Sequence, residues 1–161
     1  MATIRPFKGF RPTPELCSKV AALPYDVMTS KEAREMVKND PYSFLHVDRA
    51  EIDLPENVDI YSKEVYEKAA SNLNKMIEDK VLIQDSKPVF YIYSLTMNGR
   101  EQIGLVVCTS IDEYLNNTIK KHEFTRADKE QDRINHVDYC NANTGPIFLT
   151  YKNQKTIDQI I

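Results

Sequence analysis

Val89-Phe90-Tyr91-Ile92-Tyr93-Ser94-Leu95-Thr96-Met97, then Asn98-Gly99, then Arg100-Glu101 and Gln102-Ile103-Gly104-Leu105-Val106-Val107-Cys108-Thr109, is the stretch whose reading decides the fold. Two runs rich in aromatic and β-branched residues flank an Asn-Gly pair, a strong signal for a two-residue turn. The stretch therefore predicts an antiparallel hairpin. Tyr91 and Tyr93 alternate with Phe90, Ile92 and Ser94, a pattern of packing rather than of a base-stacking platform. Upstream, Val81-Leu82-Ile83 reads as a short edge segment. Before it, Tyr61, Val65, Ala69, Leu73, Met76 and Ile77 recur at helical spacing and predict a helix from Asp59 to Asp79 with that stripe in the core. Downstream, Ser110-Ile111-Asp112-Glu113 reads as a capping box that starts a helix through Leu115, and Asn116-Asn117 turns the chain.

The outer segments are shorter. Ile4 to Phe10 reads as a strand or extended arm, and Thr13-Pro14-Glu15 opens a short helix. Pro24-Tyr25-Asp26 is a loop. Thr29-Ser30-Lys31-Glu32 is a capping box for a helix from Ser30 to Lys38, which Asn39-Asp40-Pro41 ends. Tyr42 to Val47 reads as an extended strand, and His46 within it as a satisfied core histidine or a pocket residue. Pro146 to Tyr151 is strand-like, and Thr156 resembles the N-cap of a new helix. With no repeats or linkers, the pattern predicts an α+β fold, one compact domain over residues 1–161 with an antiparallel hairpin-containing sheet. Ile160-Ile161 ends it without a stop signal, so the chain reads as the N-terminal domain of a longer protein. The C-terminal remainder of that protein is an expected partner.

Composition narrows the function. The 161 residues are 42% hydrophobic and 28% charged, with a net charge of −3. That balance disfavours DNA as a partner. Three cysteines, Cys17, Cys108 and Cys140, are an odd count without any C-x-x-C pair, so free thiols and no structural zinc are expected. No apolar run resembles a signal peptide or membrane span, which points to the cytoplasm and away from the membrane.

The chemistry-bearing stretch is His122-Glu123-Phe124-Thr125-Arg126-Ala127-Asp128-Lys129-Glu130-Gln131-Asp132-Arg133. On a helix from Arg126, the residues His122, Arg126, Lys129, Arg133 and His136 fall on one stripe. A basic stripe at a helix start suits a phosphate or carboxylate. A solvated face neutralised by Asp128, Glu130 and Asp132 is the plainer reading. H-E-x-x-H fails because Arg126 stands where the second histidine belongs, and no metal site is expected. Ala127, Ile134, Val137 and Cys140 form a thin apolar side for this helix. A nucleophilic Cys140 would need a histidine beside it.

Several segments together resemble the uncharacterised prokaryotic family called domain of unknown function 1015. They are Ile4-Arg5-Pro6-Phe7, Leu23-Pro24-Tyr25-Asp26-Val27, Lys87 to Tyr93, Asp112-Glu113-Tyr114, the His122-Glu123-x-Thr125 run with Lys129 and Asp132-Arg133, and Pro146-Ile147-Phe148 with Tyr151. Leu23 departs from the double proline usual before Tyr-Asp. The resemblance implies a longer parent protein. It also implies a likeness to the ParB/sulfiredoxin class, in which a polar loop and the start of the following helix hold nucleotide phosphates. No glycine lies between Gly104 and Gly145, so the backbone offers no glycine-rich phosphate cradle.

Three functions compete. In a nucleotide-dependent phosphotransferase, Arg126, Lys129 and Arg133 would clamp phosphates and Thr125 would donate a hydrogen bond. Glu123, or His122 in its place, would be the base or a Mg2+ ligand, and Asp26 a second carboxylate, against a turn-stabilising role for Asp26. In a non-catalytic regulatory module the same cations bind a nucleotide. In a structural domain they belong to an internal ion-pair network.

Overall fold

A computed structural model describes residues 2–121 and 125–159 of the chain. In chain order they form strands β1 (Ile4–Arg5) and β2 (Phe10–Pro12), helix α1 (Cys17–Val20), a 3-10 turn at Tyr25–Val27, α2 (Ser30–Val37), α3 (Leu45–Asp48) and a 3-10 turn at Ala50–Asp53. There follow α4 (Lys63–Glu78), β3 (Leu82–Gln84), β4 (Tyr91–Met97), β5 (Arg100–Val106), β6 (Cys108–Thr109), α5 (Ile111–Leu115), α6 (Ala127–Cys140) and α7 (Lys155–Asp158). The strands pair antiparallel as β1–β6, β2–β3 and β4–β5. The fold is α+β, as the hairpin and helix patterns predict.

Two compact units share the chain: Phe10–Gln84 with Thr125–Thr144, and Met1–Gly9 with Asp85–Phe124 and Gly145–Ile161. The first, the helical unit, holds the main core. Val20, Val47, Ala50, Val65, Ala69, Leu73, Met76, Val81, Leu82 and Cys140 cluster there, with α4 supplying the helical stripe. Helix α4 starts at Lys63, four residues later than its periodicity suggests, and Tyr66 joins its buried face. Ala33, Val37, Leu45 and Ile52 make a second cluster.

The α2 capping box forms as read: Glu32 donates its backbone N–H to the Thr29 hydroxyl, and the Glu32 carboxylate accepts the Thr29 N–H. Arg34 then reaches out of α2 to the second 3-10 turn. Its guanidinium donates to the carbonyls of Glu51 (2.7 Å), Ile52 (2.6 Å) and Leu54 (2.9 Å).

Tyr42 to Val47 is not a strand; Leu45–Asp48 is a helical turn. The two core clusters explain why. Leu45 belongs to one and Val47 to the other, and residues two apart diverge on a helix but share a face on a strand. His46 is satisfied, as its plainer reading held. Its Nδ1 lies 2.8 Å from Asp53 Oδ1 and its Nε2 3.2 Å from the Asp40 carbonyl. The Asp53 hydrogen bond raises the imidazole above its usual range, against the effect of burial.

In the hairpin unit, β4 and β5 pair from Tyr91↔Val106 to Met97↔Arg100. Asn98 (φ 52°) and Gly99 (φ 75°) supply the positive φ values of the turn, which Asn-Gly accommodates at little cost. Ser110 caps α5, accepting the Glu113 N–H. The Glu113 carboxylate does not close the box but accepts from the Thr3 N–H and hydroxyl. Pro146 to Tyr151 forms no strand, and α7 begins after Gln154, which makes no side-chain cap, with Thr156 inside the helix. Among the described residues of this unit only Ile119 is buried.

Gly9 is fixed by close approach. Its N–H donates to the Tyr91 hydroxyl at 2.7 Å, and that hydroxyl donates to Asp85 Oδ2 at 2.6 Å. A Cβ at Gly9 would lie 2.7 Å from the same oxygen. Gly9→Ala should therefore cost about 1–2 kcal/mol in chemical denaturation, because the bonded ring tip must move. A loss of only a few tenths would show that the ring swings aside freely.

Candidate functional site

Helix α6 packs on α4 in the helical unit, and its inner face is polar. Ala127, Ile134 and Val137, expected to face the core, are exposed; of the expected apolar side only Cys140 is buried. Asp132 and Arg133 are half-buried, and His136 is 3% exposed. Asp132 Oδ1 accepts from the Tyr66 hydroxyl at 3.0 Å. Part of that polar face is satisfied by α4, whose Tyr66 hydroxyl brings Asp132 a hydrogen-bonding partner, as buried polar groups require.

The basic stripe therefore runs from solvent into the body. Arg126 is the exposed N-cap of α6, makes no side-chain cap and forms a two-point pair with Asp128 (2.7 and 3.1 Å). Lys129 is exposed; its ammonium donates to the Tyr61 hydroxyl at 2.8 Å and lies 5.4 Å from that ring's centre. Arg133 stacks 4.5 Å from the centre of the Tyr25 ring and pairs with Asp132 at 3.1 Å. Thr125 is an exposed residue just before the N-cap. Asp26 is exposed on the 3-10 turn that carries Tyr25. The structure thus brings together Arg126, Lys129, Arg133 and, through Tyr25, the Pro-Tyr-Asp loop. His122 and Glu123 lie outside the described residues.

A second network holds that loop in place. Arg49 donates to the Tyr25 carbonyl (3.2 Å) and the Ser30 hydroxyl (2.9 Å), and the Ser30 hydroxyl donates to Glu51 Oε1 (2.8 Å). Arg49 Nε lies 2.9 Å from the same buried carboxylate. The position of Tyr25 under Arg133 is thereby tied to the packing of α2 and the second 3-10 turn.

Behind Arg133 sits a cluster that the sequence reading missed. Asp48 Oδ1 and Cys140 Sγ lie 3.8 and 3.7 Å from His136 Nε2. Among the described residues Asp48 Oδ1 has no hydrogen-bond partner. Burial pushes the Asp48 carboxyl up to about 6, opposed by the Thr144 hydroxyl and the Arg133 charge. Burial and Arg133 push His136 down to about 4, and burial with Asp48 pushes Cys140 up to about 11. At neutral pH the thiol is therefore protonated and the imidazole neutral. Aspartate and thiol both approach the same ring nitrogen, so the set is not a relay in which one nitrogen is oriented and the other takes a proton. The one sequence signal was the i, i+4 spacing of His136 and Cys140.

Among the described residues no group of three His, Cys, Asp or Glu side chains could hold a metal ion. Two shallow hollows of this unit lie along α2 and the loop before it, sharing Leu23 and Met36, and no α6 residue lines either.

A family profile described as protein of unknown function (DUF1015) matches residues 4–161. The chain belongs to the DUF1015 family. No curated protein and no solved structure matches it. The DUF1015 profile spans both units, including Leu23 to Val27 and the α6 segment. Among the described residues of this DUF1015 chain no helix is long and apolar enough to cross a membrane.

Proposed function

We propose that this domain works in the cytoplasm and binds a small phosphate-bearing ligand, a nucleotide in the first instance, at the N-terminal end of α6. The observation that carries the reading is the placement of three cations along one helix that starts without a side-chain cap. Two of them are held over tyrosine rings, Lys129 on Tyr61 and Arg133 on Tyr25. The positive end of the helix dipole favours an anion there, where the Asp128 carboxylate now accepts the backbone N–H groups of Asp128 and Lys129. The Arg126–Asp128 pair is exposed and worth little, so a phosphate can replace Asp128 as partner. In a phosphotransferase, Glu123 or His122 adds the base or the Mg2+ ligand, with Thr125 and Asp26 at the edge of the site. Without such a base the same face serves a non-catalytic binding module.

A second reading has its own support. Arg133, Asp132 and the Tyr66 hydroxyl form a continuous chain, and three carboxylates between Thr125 and Arg133 match the three cations. That is an internal ion-pair network.

Thermal shift separates the two readings, using ATP, ADP, CTP and inorganic phosphate with and without Mg2+. Ligand at a hundredfold excess over its Kd should stabilise by about 2.7 kcal/mol, which raises Tm by roughly 5–10 °C in a chain of this size. Arg126→Ala and Lys129→Ala, both exposed, should abolish that rise while leaving the ligand-free Tm nearly unchanged. No shift with any ligand would leave the internal network as the account of α6.

A further inference from the structure

The β4–β5 hairpin is exposed in a way that a folded sheet rarely sustains. None of its residues is buried, and Ile92, Tyr93, Leu95 and Met97 of β4 are each more than half exposed. Among the described residues β4 pairs with β5 alone. A two-stranded hairpin is marginal in water, and a third or fourth strand makes such a sheet stable.

The two edges differ. β5 begins Arg100-Glu101 and contains Gly104, features that blunt an edge. β4, Tyr91 to Met97, has no charged residue, no proline and no glycine. It is an unprotected template for strand addition.

The sequence of β4 also fits itself. Set antiparallel to a second copy about a two-fold axis at Ser94, Tyr93 stands opposite Leu95 of the copy and Tyr91 opposite Met97. Symmetry repeats both pairs. Every pair on that face joins an aromatic to an aliphatic side chain, a favourable cross-strand combination. On the other face Ile92 meets Thr96 and Ser94 meets its own copy. No charge is opposed anywhere along the strand, and isologous two-fold contacts are the commonest route to a homodimer.

We propose that β4 is a dimerisation edge, at which two copies of this chain join their hairpins into one four-stranded antiparallel sheet in the order β5-β4-β4-β5, with Ser94 at the two-fold axis. The proposal is independent of any ligand at α6.

Analytical ultracentrifugation of the 161-residue chain across a wide concentration range should show twice the 18.6 kDa monomer mass at the upper end. The double variant Tyr93→Lys/Leu95→Lys places like charges opposite one another twice, and should weaken the dimer by about tenfold or more. Tyr93→Lys/Leu95→Glu carries as many charges but opposes Lys to Glu at both places, and should keep the dimer. In a Cys17→Ser/Cys108→Ser background, Ser94→Cys should link to itself on mild oxidation with diamide. Thr96→Cys should not, because it faces Ile92 of the copy. A monomer at all concentrations overturns the proposal, and with it any claim of a second copy over another strand partner. So does a dimer that treats the two charge variants alike, or Thr96→Cys linking as readily as Ser94→Cys.

Discussion

Between pH 4 and 6 the wild-type chain should change little in stability on account of its buried Asp48 and His136, while single substitutions at the two sites should open slopes of opposite sign. Burial raises the Asp48 carboxyl from its ordinary 3.8 to about 6. The native state there holds a proton that the unfolded chain has released, so this residue makes stability fall as pH rises through the window. Burial and the Arg133 charge lower His136 from 6.5 to about 4. The unfolded chain there holds a proton that the native state excludes, so this residue makes stability rise with pH. In the pair, the native state carries one proton on Asp48 and the unfolded state carries one on His136, and the net uptake nearly vanishes.

Asp48→Asn should therefore become more stable between pH 4 and 6.5, by about 3 kcal/mol relative to wild type over the window. His136→Gln should lose a comparable amount between pH 4 and 6. The charged and titratable neighbours, Arg133, Asp132 and Cys140, and the Thr144 hydroxyl remain in both variants, as does His46, whose raised imidazole stabilises below pH 6.5 and loses that contribution above it. Urea denaturation at several pH values, read as variant minus wild type, isolates the two groups. Parallel curves for all three proteins would mean that the cluster behind Arg133 is solvated rather than buried.

Arg34→Met should be the other large effect, about 3 kcal/mol of destabilisation at neutral pH. Its guanidinium serves the Glu51, Ile52 and Leu54 carbonyls at once, and methionine keeps the apolar stem while removing a charged donor from all three, of which the Glu51 carbonyl keeps the Leu54 N–H. Arg34→Lys should recover less than half, because one ammonium cannot span the fork. Denaturation midpoints measure both. A loss under about 1 kcal/mol would mean that water replaces the guanidinium without penalty. Because the same turn carries Glu51, which engages Arg49 and Ser30, the reading of α6 proposed above predicts that a large loss is accompanied by weaker protection by nucleotide. That links the stability of α2 to the position of Tyr25.

Much of the fold was legible because its signals are local. Asn98-Gly99 specifies its own backbone, the Thr29–Glu32 box closes within one turn, and the α4 stripe repeats over four turns. Tyr42 to Val47 was misread because a six-residue apolar run has too few periods to separate helix from strand. Only the two clusters that receive Leu45 and Val47 decide it. Likewise Pro146 to Tyr151 has strand composition but no ladder partner among the described residues, and composition cannot supply one.

The candidate site divides the same way. The sequence by itself determined the family, the α+β class, the hairpin and the basic residues of α6, since each follows from residue types at short spacing. Only the tertiary structure decided which side of α6 faces inward. The outward turn of Ile134 and Val137 and the burial of His136 depend on partners far along the chain: Tyr66 of α4, Asp48 of α3 and Tyr25. An amphipathic pattern scores apolar residues, whereas a polar face is buried only where distant residues satisfy its hydrogen bonds and charges.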